Sequence, residues 1–286
     1  MGYMHIENLY KMQDILLFKE CYALEKIHGT SAHITYKIQD GKPMISFHSG
    51  GVSHVNFTAL FDKSDLMEKM KGIDEVQIYG ETYGGKCQGM SGTYGKALKF
   101  IVFDVCISEC WLAVPQAEEF ATNLGLEFVA YEKISTDLDE IDKQRDRDSV
   151  QAVRNGMGEG HKREGVVLRP LIELRKNNEN RVISKHKGDD FKETKTKREV
   201  DPEKMKVLAE ANAIADEWVT PMRLAHVLDK IENPCMEKMR EIIAAMCEDV
   251  QREAEGEIVW DNAVARAVGR ATALATKEYF QNKLRE

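Results

Sequence analysis

Residues 24–33, LEKIHGTSAH, place a lysine, a histidine, a glycine and two hydroxyl side chains within six positions, where an apolar run ends. Gly29, three residues after Lys26, permits backbone conformations and close approaches that other residues resist. A lysine is a poor nucleophile while protonated, so a site that uses one must lower its pKa by desolvation or neighbouring cations. The stretch therefore has two readings: an ordinary strand and turn, or a nucleophile set at the end of a strand.

Working outward, residues 20–200 hold short β-prone runs: AHITYKI, PMISFHS, EVQIYGE, LKFIVFDVCI, EGVVLRP and NRVISKHK. Glycine-bearing or charged connections separate them, and SDLMEKMKGI and PQAEEFATNLGL interrupt them with helical spacing. This predicts an α+β domain with a largely antiparallel sheet over residues 1–198. After Glu199 the pattern is helical alone. Asp201-Pro202, Thr220-Pro221 and Asn233-Pro234 each pair a capping residue with proline, a helix-start signal. Met236, Met239, Ile242, Ile243, Met246 and Val250 then recur at helical spacing, and Asp261 opens an alanine-rich helix carrying Val264, Val268, Ala271, Ala275 and Tyr279. An all-helical C-terminal domain over residues 199–286 follows. The charged stretch 135–151 is expected to be an exposed helix or insertion without chemistry.

Composition narrows the classes. A chain of 286 residues with 43% hydrophobic content is long enough for a full core and a second domain. No apolar run approaches the roughly eighteen residues that span a bilayer, and the N-terminus lacks secretory-signal features, so no membrane partner and a cytoplasmic location are expected. Six cysteines without CxxC or His/Cys metal spacing indicate free thiols and no zinc site. The net charge of −8 divides unevenly: −8 over residues 1–153, +6 over 154–198 and −6 over 199–286. A basic stretch between acidic ones can attract a polyanion that the net charge alone would repel.

Several side chains are candidates for chemistry. Lys185 and Lys187 lie two apart in SKHKG, hence on one face of a strand. If that face meets Lys26, three ammonium groups converge, favouring a neutral Lys26 and a phosphate-bearing ligand. Asp104 lies inside the apolar run FIVFDVCI, where a carboxylate is costly unless paired or bound to a metal or hydroxyl. Glu81 ends a strand beside TYGG, and Glu164 precedes GVVLRP. Taken singly, each also has a plain structural reading: a solvated strand face for the lysines, a buried structural Asp104, a turn at Glu81, an edge charge at Glu164 and a core ring at Phe103.

Their order is more specific. Lys26-x-x-Gly29, Glu81, Phe103-Asp104, Glu164-Gly165 and Lys185-x-Lys187 resemble, in sequence and spacing, motifs I, III, IV and V of the covalent nucleotidyltransferases, the polynucleotide ligases and mRNA capping enzymes. The chain is most similar to the RNA ligase 2 family of phage-type and kinetoplastid editing RNA ligases. EKIHGT matches its motif I, GE with aromatic and glycine residues precedes the FD strand, and NRVISKHKGDDFKETKTK shares the rhythm of motif V. The resemblance covers residues 20–200. It implies an antiparallel-sheet, ATP-grasp-like ligase domain and a three-step reaction. Lys26 attacks the α-phosphorus of ATP and retains AMP; AMP passes to the 5′-phosphate of an RNA strand; the 3′-hydroxyl then displaces AMP and seals the break, expected in nicked duplex RNA. The resemblance further implies that Lys185 and Lys187 hold phosphates and that Mg2+, with Mn2+ as a substitute, binds at Glu164 and more weakly at Asp104. Glu81 is expected at the ribose, Phe103 against the adenine and Glu25 at the edge of the adenine pocket, with Ile27 and Gly29 in the same pocket. His28 and Thr30 are assigned to phosphate transfer and Arg169 to phosphate contact. A monomer is expected.

One departure stands out. Family members carry an arginine for the 5′-phosphate where this chain has SFHSGG, offering His48 and Ser49. A histidine lacks the planar fork that binds phosphate in two places. His48 or Lys42 is the candidate substitute; a structural turn on Gly50 and Gly51 is the alternative. The absence of strand patterning after residue 200 favours an RNA ligase over a DNA ligase or capping enzyme, which carry a further β-barrel. The helical domain is either a clamp for duplex, through residues such as Arg266 and Arg270, or a dimerisation element. A DNA ligase and a non-catalytic RNA-binding module with a nucleotide pocket are the alternatives.

Overall fold

The computed structural model describes residues 2–176, 180–191 and 202–283. Two compact units emerge, residues 1–15 with 19–197 and residues 16–18 with 198–286. The expected boundary at 198/199 and the basic run 192–200 lie outside the described residues.

Among the described residues the first unit carries nine strands: β1 Glu20–Lys26, β2 Thr30–Gln39, β3 Lys42–His48, β4 Glu75–Gly84, β5 Leu98–Ile107, β6 Cys110–Trp111, β7 Tyr131–Ser135, β8 Gly165–Pro170 and β9 Ser184–Lys187. They form two antiparallel sheets, ordered β7-β1-β8-β9 and β3-β2-β4-β5-β6. Its helices are α1 His54–Thr58, α2 Lys63–Lys69, α3 Ser91–Tyr94, α4 Val114–Asn123, α5 Leu138–Arg145 and α6 Val150–Arg154. The fold is α+β with antiparallel sheets, as the alternating apolar runs predict.

β5 is apolar along nearly its whole length because it is an inner strand of its sheet and α4 packs against it. Ile34, Val76, Ile78, Ile101, Val102 and Val105 meet Val114, Ala117 and Ala121 of α4 in one buried cluster. Asp104 interrupts this strand yet is fully buried. Its oxygens accept from Arg169 (2.9 Å), Arg181 (2.6 Å) and the Tyr3 hydroxyl (2.7 Å). Glu173 pairs with both arginines at 2.7 Å, so two carboxylates balance two guanidiniums. Burial of charge at this depth is tolerated only when it is paired and hydrogen-bonded in this way.

The second unit contains α7 Pro202–Trp218, α8 Pro221–Asp229, α9 Met239–Glu253 and α10 Asn262–Lys283. Thr220 caps α8 by accepting from Arg223 N (3.2 Å), and Asp261 caps α10 by accepting from Ala263 N and Val264 N, both at 2.8 Å. Ile242, Met246, Val250, Val264 and Val268 are buried together with Leu224 and Val227. Asn233-Pro234 does not start a helix. Asn233 takes a left-handed φ of 47°, and a 3-10 turn at Met236–Lys238 precedes α9, leaving Met236 exposed. Tyr279 is also exposed rather than core. No described helix is long and apolar enough to cross a membrane.

Candidate active site

Three neighbouring strands bring the central charges together. In the register of the four-stranded sheet, Gly165 of β8 lies opposite Lys26 of β1 on one side and Lys187 of β9 on the other. Glu164, one residue earlier, is thereby within reach of both amines. Lys26 Nζ lies 3.0 Å from Glu164 Oε2, and Lys187 Nζ lies 3.0 Å from Oε1. His28 Nδ1 adds a contact of 3.2 Å to Oε2. Gly165 makes this packing feasible: its φ is +150°, and a Cβ there would fall 2.1 Å from the His186 carbonyl oxygen. Burial favours a neutral Glu164 carboxyl, but Lys26 and Lys187 together hold it below the usual carboxylate range. The lysines therefore converge around a carboxylate rather than around one another alone.

A cavity of about 400 Å³ adjoins this cluster. Lys26, Glu81, Ser31 and Lys185 line it alongside Leu24, Ile27, Phe103, Val129, Val167 and Ile183. Phe103 reaches it by a break in strand alternation. Asp104 pairs with Tyr79 and Val102 with Gly80, so Phe103 is the extra residue of a β-bulge. Glu81 on β4 accepts from the Gly29 N–H, and burial, opposed by Lys26, pushes its carboxyl up to about 7. Gly29 is required by close approach: a Cβ would lie 2.3 Å from the Thr82 carbonyl oxygen and 2.9 Å from Glu81 Cγ. No positive φ is involved: of the two freedoms that a glycine offers at this position, only close approach is used.

A family model described as RNA ligase matches residues 19–187, the stretch that contains all of these groups. The chain belongs to the RNA ligase family. Its fold is similar to that of Naegleria gruberi RNA ligase, in a lysine-to-methionine mutant with AMP and Mn (TM-score 0.51, 14% identity) and in a lysine-to-alanine mutant with ATP and Mn (TM-score 0.50, 14% identity). These matches cover 67% of this chain and 57% and 56% of the respective neighbours, so the chain spans little more than half the length of the structures it matches. No curated protein matches.

Other residues expected in the site are engaged with neighbouring protein groups. Asp104 has no free valence for a metal, since both oxygens are engaged by Arg169, Arg181, Tyr3 and the Val105 N–H. Arg169 touches the cavity, but its guanidinium is buried against Asp104, Glu173 and the Leu112 carbonyl, which removes it from phosphate contact. Glu25 lines the cavity, and its carboxylate is held at the start of α6, where it accepts from Ser149 Oγ (2.5 Å), Val150 N (3.0 Å) and Gln151 N (3.3 Å). The stretch 135–151, expected to be inert, thus holds the residue beside Lys26. Asp142 of α5 likewise contacts His186, the residue between the two lysines of β9, at 2.7 Å. Thr30 Oγ1 accepts from Gly51 N (2.7 Å) and fixes the loop after β3. His48 stacks on buried His33 at 4.3 Å and does not line the cavity. Lys42 begins β3, six residues from His48 and therefore about 20 Å away along the strand.

Sequence reasoning missed Tyr3, Arg181 and Glu173. Arg181 carried a signal, a second basic residue leading into SKHK that could balance a buried Asp104. Tyr3 carried none.

Proposed function

We propose that the protein is an ATP-dependent RNA ligase that joins 3′-hydroxyl and 5′-phosphate ends, at nicks in duplex RNA, through a lysyl-AMP intermediate. The observation that carries the reading is the pair of amines, Lys26 and Lys187, on opposite oxygens of one buried carboxylate, next to a cavity that Lys26 itself lines. Membership of the RNA ligase family and neighbours solved with ATP, AMP and Mn support it.

Lys26 Nζ, after its ammonium gives a proton to solvent, attacks the α-phosphorus with its lone pair; a P–N bond forms as the bond to pyrophosphate breaks, with its electrons leaving on pyrophosphate. An oxygen of the RNA 5′-phosphate then displaces Lys26, and the amine regains its electron pair. The 3′-hydroxyl attacks the activated phosphate, loses its proton and expels AMP. Such catalysis consists mainly of positioning and charge neutralisation. Lys185 and Lys187 hold phosphate oxygens, and this draws Lys187 from Glu164. The base lies among Phe103, Val167 and Ile27, with Glu81 toward the ribose.

The donor set fits a hard divalent ion. Glu164 offers one buried carboxylate beside Glu81, and Mg2+ characteristically takes one or two carboxylates plus substrate phosphates. Bound at Glu164, Mg2+ or Mn2+ supplies neutralisation of triphosphate charge. Among the described residues no group of three or more His, Cys, Asp or Glu side chains is set to hold a metal, which accords with a cation that arrives with its nucleotide. The helical unit is assigned to holding RNA, and the protein to acting as a cytoplasmic monomer.

Incubation with α-phosphate-labelled ATP followed by denaturation tests the reading. Wild-type protein retains label and Lys26→Ala does not; unlabelled wild type, or a labelled Lys26→Ala, overturns it. Comparison of nicked RNA duplex, single-stranded RNA and nicked DNA separates RNA from DNA ligase.

A further inference from the structure

Lys185 and Lys187 sit on a strand that its own backbone holds weakly. β9 has four residues and lies at the edge of its sheet, paired with β8 at Gly165, Val166, Val167 and Leu168. Along its other side, backbone bonds are made at Lys185, whose N–H donates to the Glu7 carbonyl (2.9 Å) and whose carbonyl accepts from Leu9 N (2.8 Å). Successive side chains of a strand point to opposite faces. Lys185 lines the cavity and Lys187 reaches Glu164 on that face, so His186 between them points to the back of the sheet.

There α5 meets it. The helix is seated against β7 and β8; Ile141 is fully buried, and Gln144 donates to Glu132 of β7 at 2.9 Å, so its position is fixed. Asp142 Oδ1 and Arg145 Nη1 each lie 2.7 Å from His186 Nε2 and 2.7 Å from one another. In one tautomer Nε2 donates to Asp142; in the other it accepts from Arg145, so α5 holds the ring in either. Arg145 is itself fixed, with Nε and Nη2 on the two oxygens of Asp146 at 2.7 and 2.6 Å. The His186 and Arg145 side chains are 20% and 15% exposed, so solvent and salt screen this contact less than they screen a surface pair. A slip of β9 by one residue would turn both lysines to the back of the sheet, and the hold on His186 opposes it.

We propose that His186 is a positioning residue for the two lysines of β9: Asp142 and Arg145 grip it from behind the sheet, so that Lys185 and Lys187 present their amines to the phosphates of a nucleoside triphosphate. The inference rests on the ligase reading, because it takes phosphates to be what these lysines hold.

The test uses full-length His186→Ala, His186→Gln, the charge-neutral double variant Asp142→Ala/Arg145→Ala and the triple combination with His186→Ala. Calorimetric titration with α,β-methylene-ATP, and its displacement by adenosine, separate phosphate contacts from those to the nucleoside; lysine labelling with ATP reports KM and kcat. His186→Ala and the double variant are expected to weaken analogue binding and raise the KM for ATP at least fivefold, with adenosine affinity within twofold of wild type. His186→Gln, whose amide offers a donor and an acceptor at similar reach, restores affinity to within twofold. Because the α5 pair acts through the ring, the triple variant is no more than twofold weaker than His186→Ala. A purely structural role would lower the amount of active enzyme, hence apparent kcat, and leave KM and the ratio of analogue to adenosine affinity unchanged. Should His186→Ala fail to fold, the double variant, which leaves β9 itself intact, decides. An unchanged ratio in the folded variants overturns the positioning role while wild-type labelling stands. A wild type that binds the analogue but takes no label overturns the ligase reading alone, and one that does not bind it overturns both.

Discussion

Asp104→Asn separates a structural hub from a metal ligand. Asp104 Oδ1 accepts from Arg169 Nη1 (2.9 Å) and Val105 N (3.0 Å), and Oδ2 accepts from Arg181 Nη1 (2.6 Å) and Tyr3 (2.7 Å). Asparagine keeps one acceptor and turns an NH2 group toward a guanidinium, so two buried arginines are left with one carboxylate. Breaking a buried pair by removing one partner costs about 3–5 kcal/mol. Glu173 still contacts both arginines at 2.7 Å, which places the loss at the lower end, about 3 kcal/mol. For a unit of this size each kcal/mol shifts Tm by about 2–4 °C, so the transition falls by about 6–12 °C. Scanning calorimetry measures it. Trp111, whose ring lies 4.0 Å from the Arg181 guanidinium carbon, assigns the transition by fluorescence in a Trp218→Phe, Trp260→Phe background. The Mg2+ midpoint for lysine labelling stays within twofold of wild type. A Tm within about 2 °C of wild type, together with a tenfold higher Mg2+ midpoint, would refute the hub and restore Asp104 as a metal ligand.

Other perturbations follow from the same geometry. Glu81 has its carboxyl raised to about 7, so it favours the folded state below the unfolded value of 4.5 and that contribution is lost as pH rises through 7. Urea midpoints at pH 5 and pH 8 should therefore show a smaller fall for Glu81→Gln than for wild type; equal falls would dismiss the shift. Burial, with His48 stacked alongside, lowers His33 to about 4, so stability is full above 6.5 and is lost as pH drops from 6.5 to 4. His33→Phe, which also removes a ring nitrogen lacking a hydrogen-bond partner, should flatten that slope in acid titrations of stability. Gly29→Ala drives a methyl group toward the Thr82 carbonyl and should cost about 1–3 kcal/mol, as overpacking does, with labelling reduced at least tenfold; full labelling by a stable variant would contradict the close approach.

The strand framework was legible in the sequence because its cause is local. Alternating apolar runs mark faces, and a two-residue spacing puts Lys185 and Lys187 on one of them whatever surrounds them. The sequence raised a convergence of Lys26 with Lys185 and Lys187; the strand register on either side of Gly165 is what brings Lys26 and Lys187 to the level of Glu164. Partner choice was not legible. Periodicity tells which way Glu25 faces along β1 but not that the start of α6, more than 120 residues later, supplies three donors to it. Asp104 shows the same limit: its cost when buried was evident, yet its partners come from residues 3, 169 and 181.

The bulge at Phe103 joins these two lessons. Regular alternation would send Phe103 and Asp104 to opposite faces of β5, and one residue alone could then meet Tyr3. One extra residue in the strand lets both do so: Phe103 through its ring and Asp104 through its carboxylate. The charged network and the apolar pocket are therefore built on adjacent residues. The buried ion pairs hold Asp104 and the Tyr3 hydroxyl in place beside the cavity that Phe103 and Tyr3 line. Pairing of Asp104 and Glu173 with Arg169 and Arg181 offsets the cost of burying four charges, and it makes an aspartate tolerable in the middle of an otherwise apolar strand.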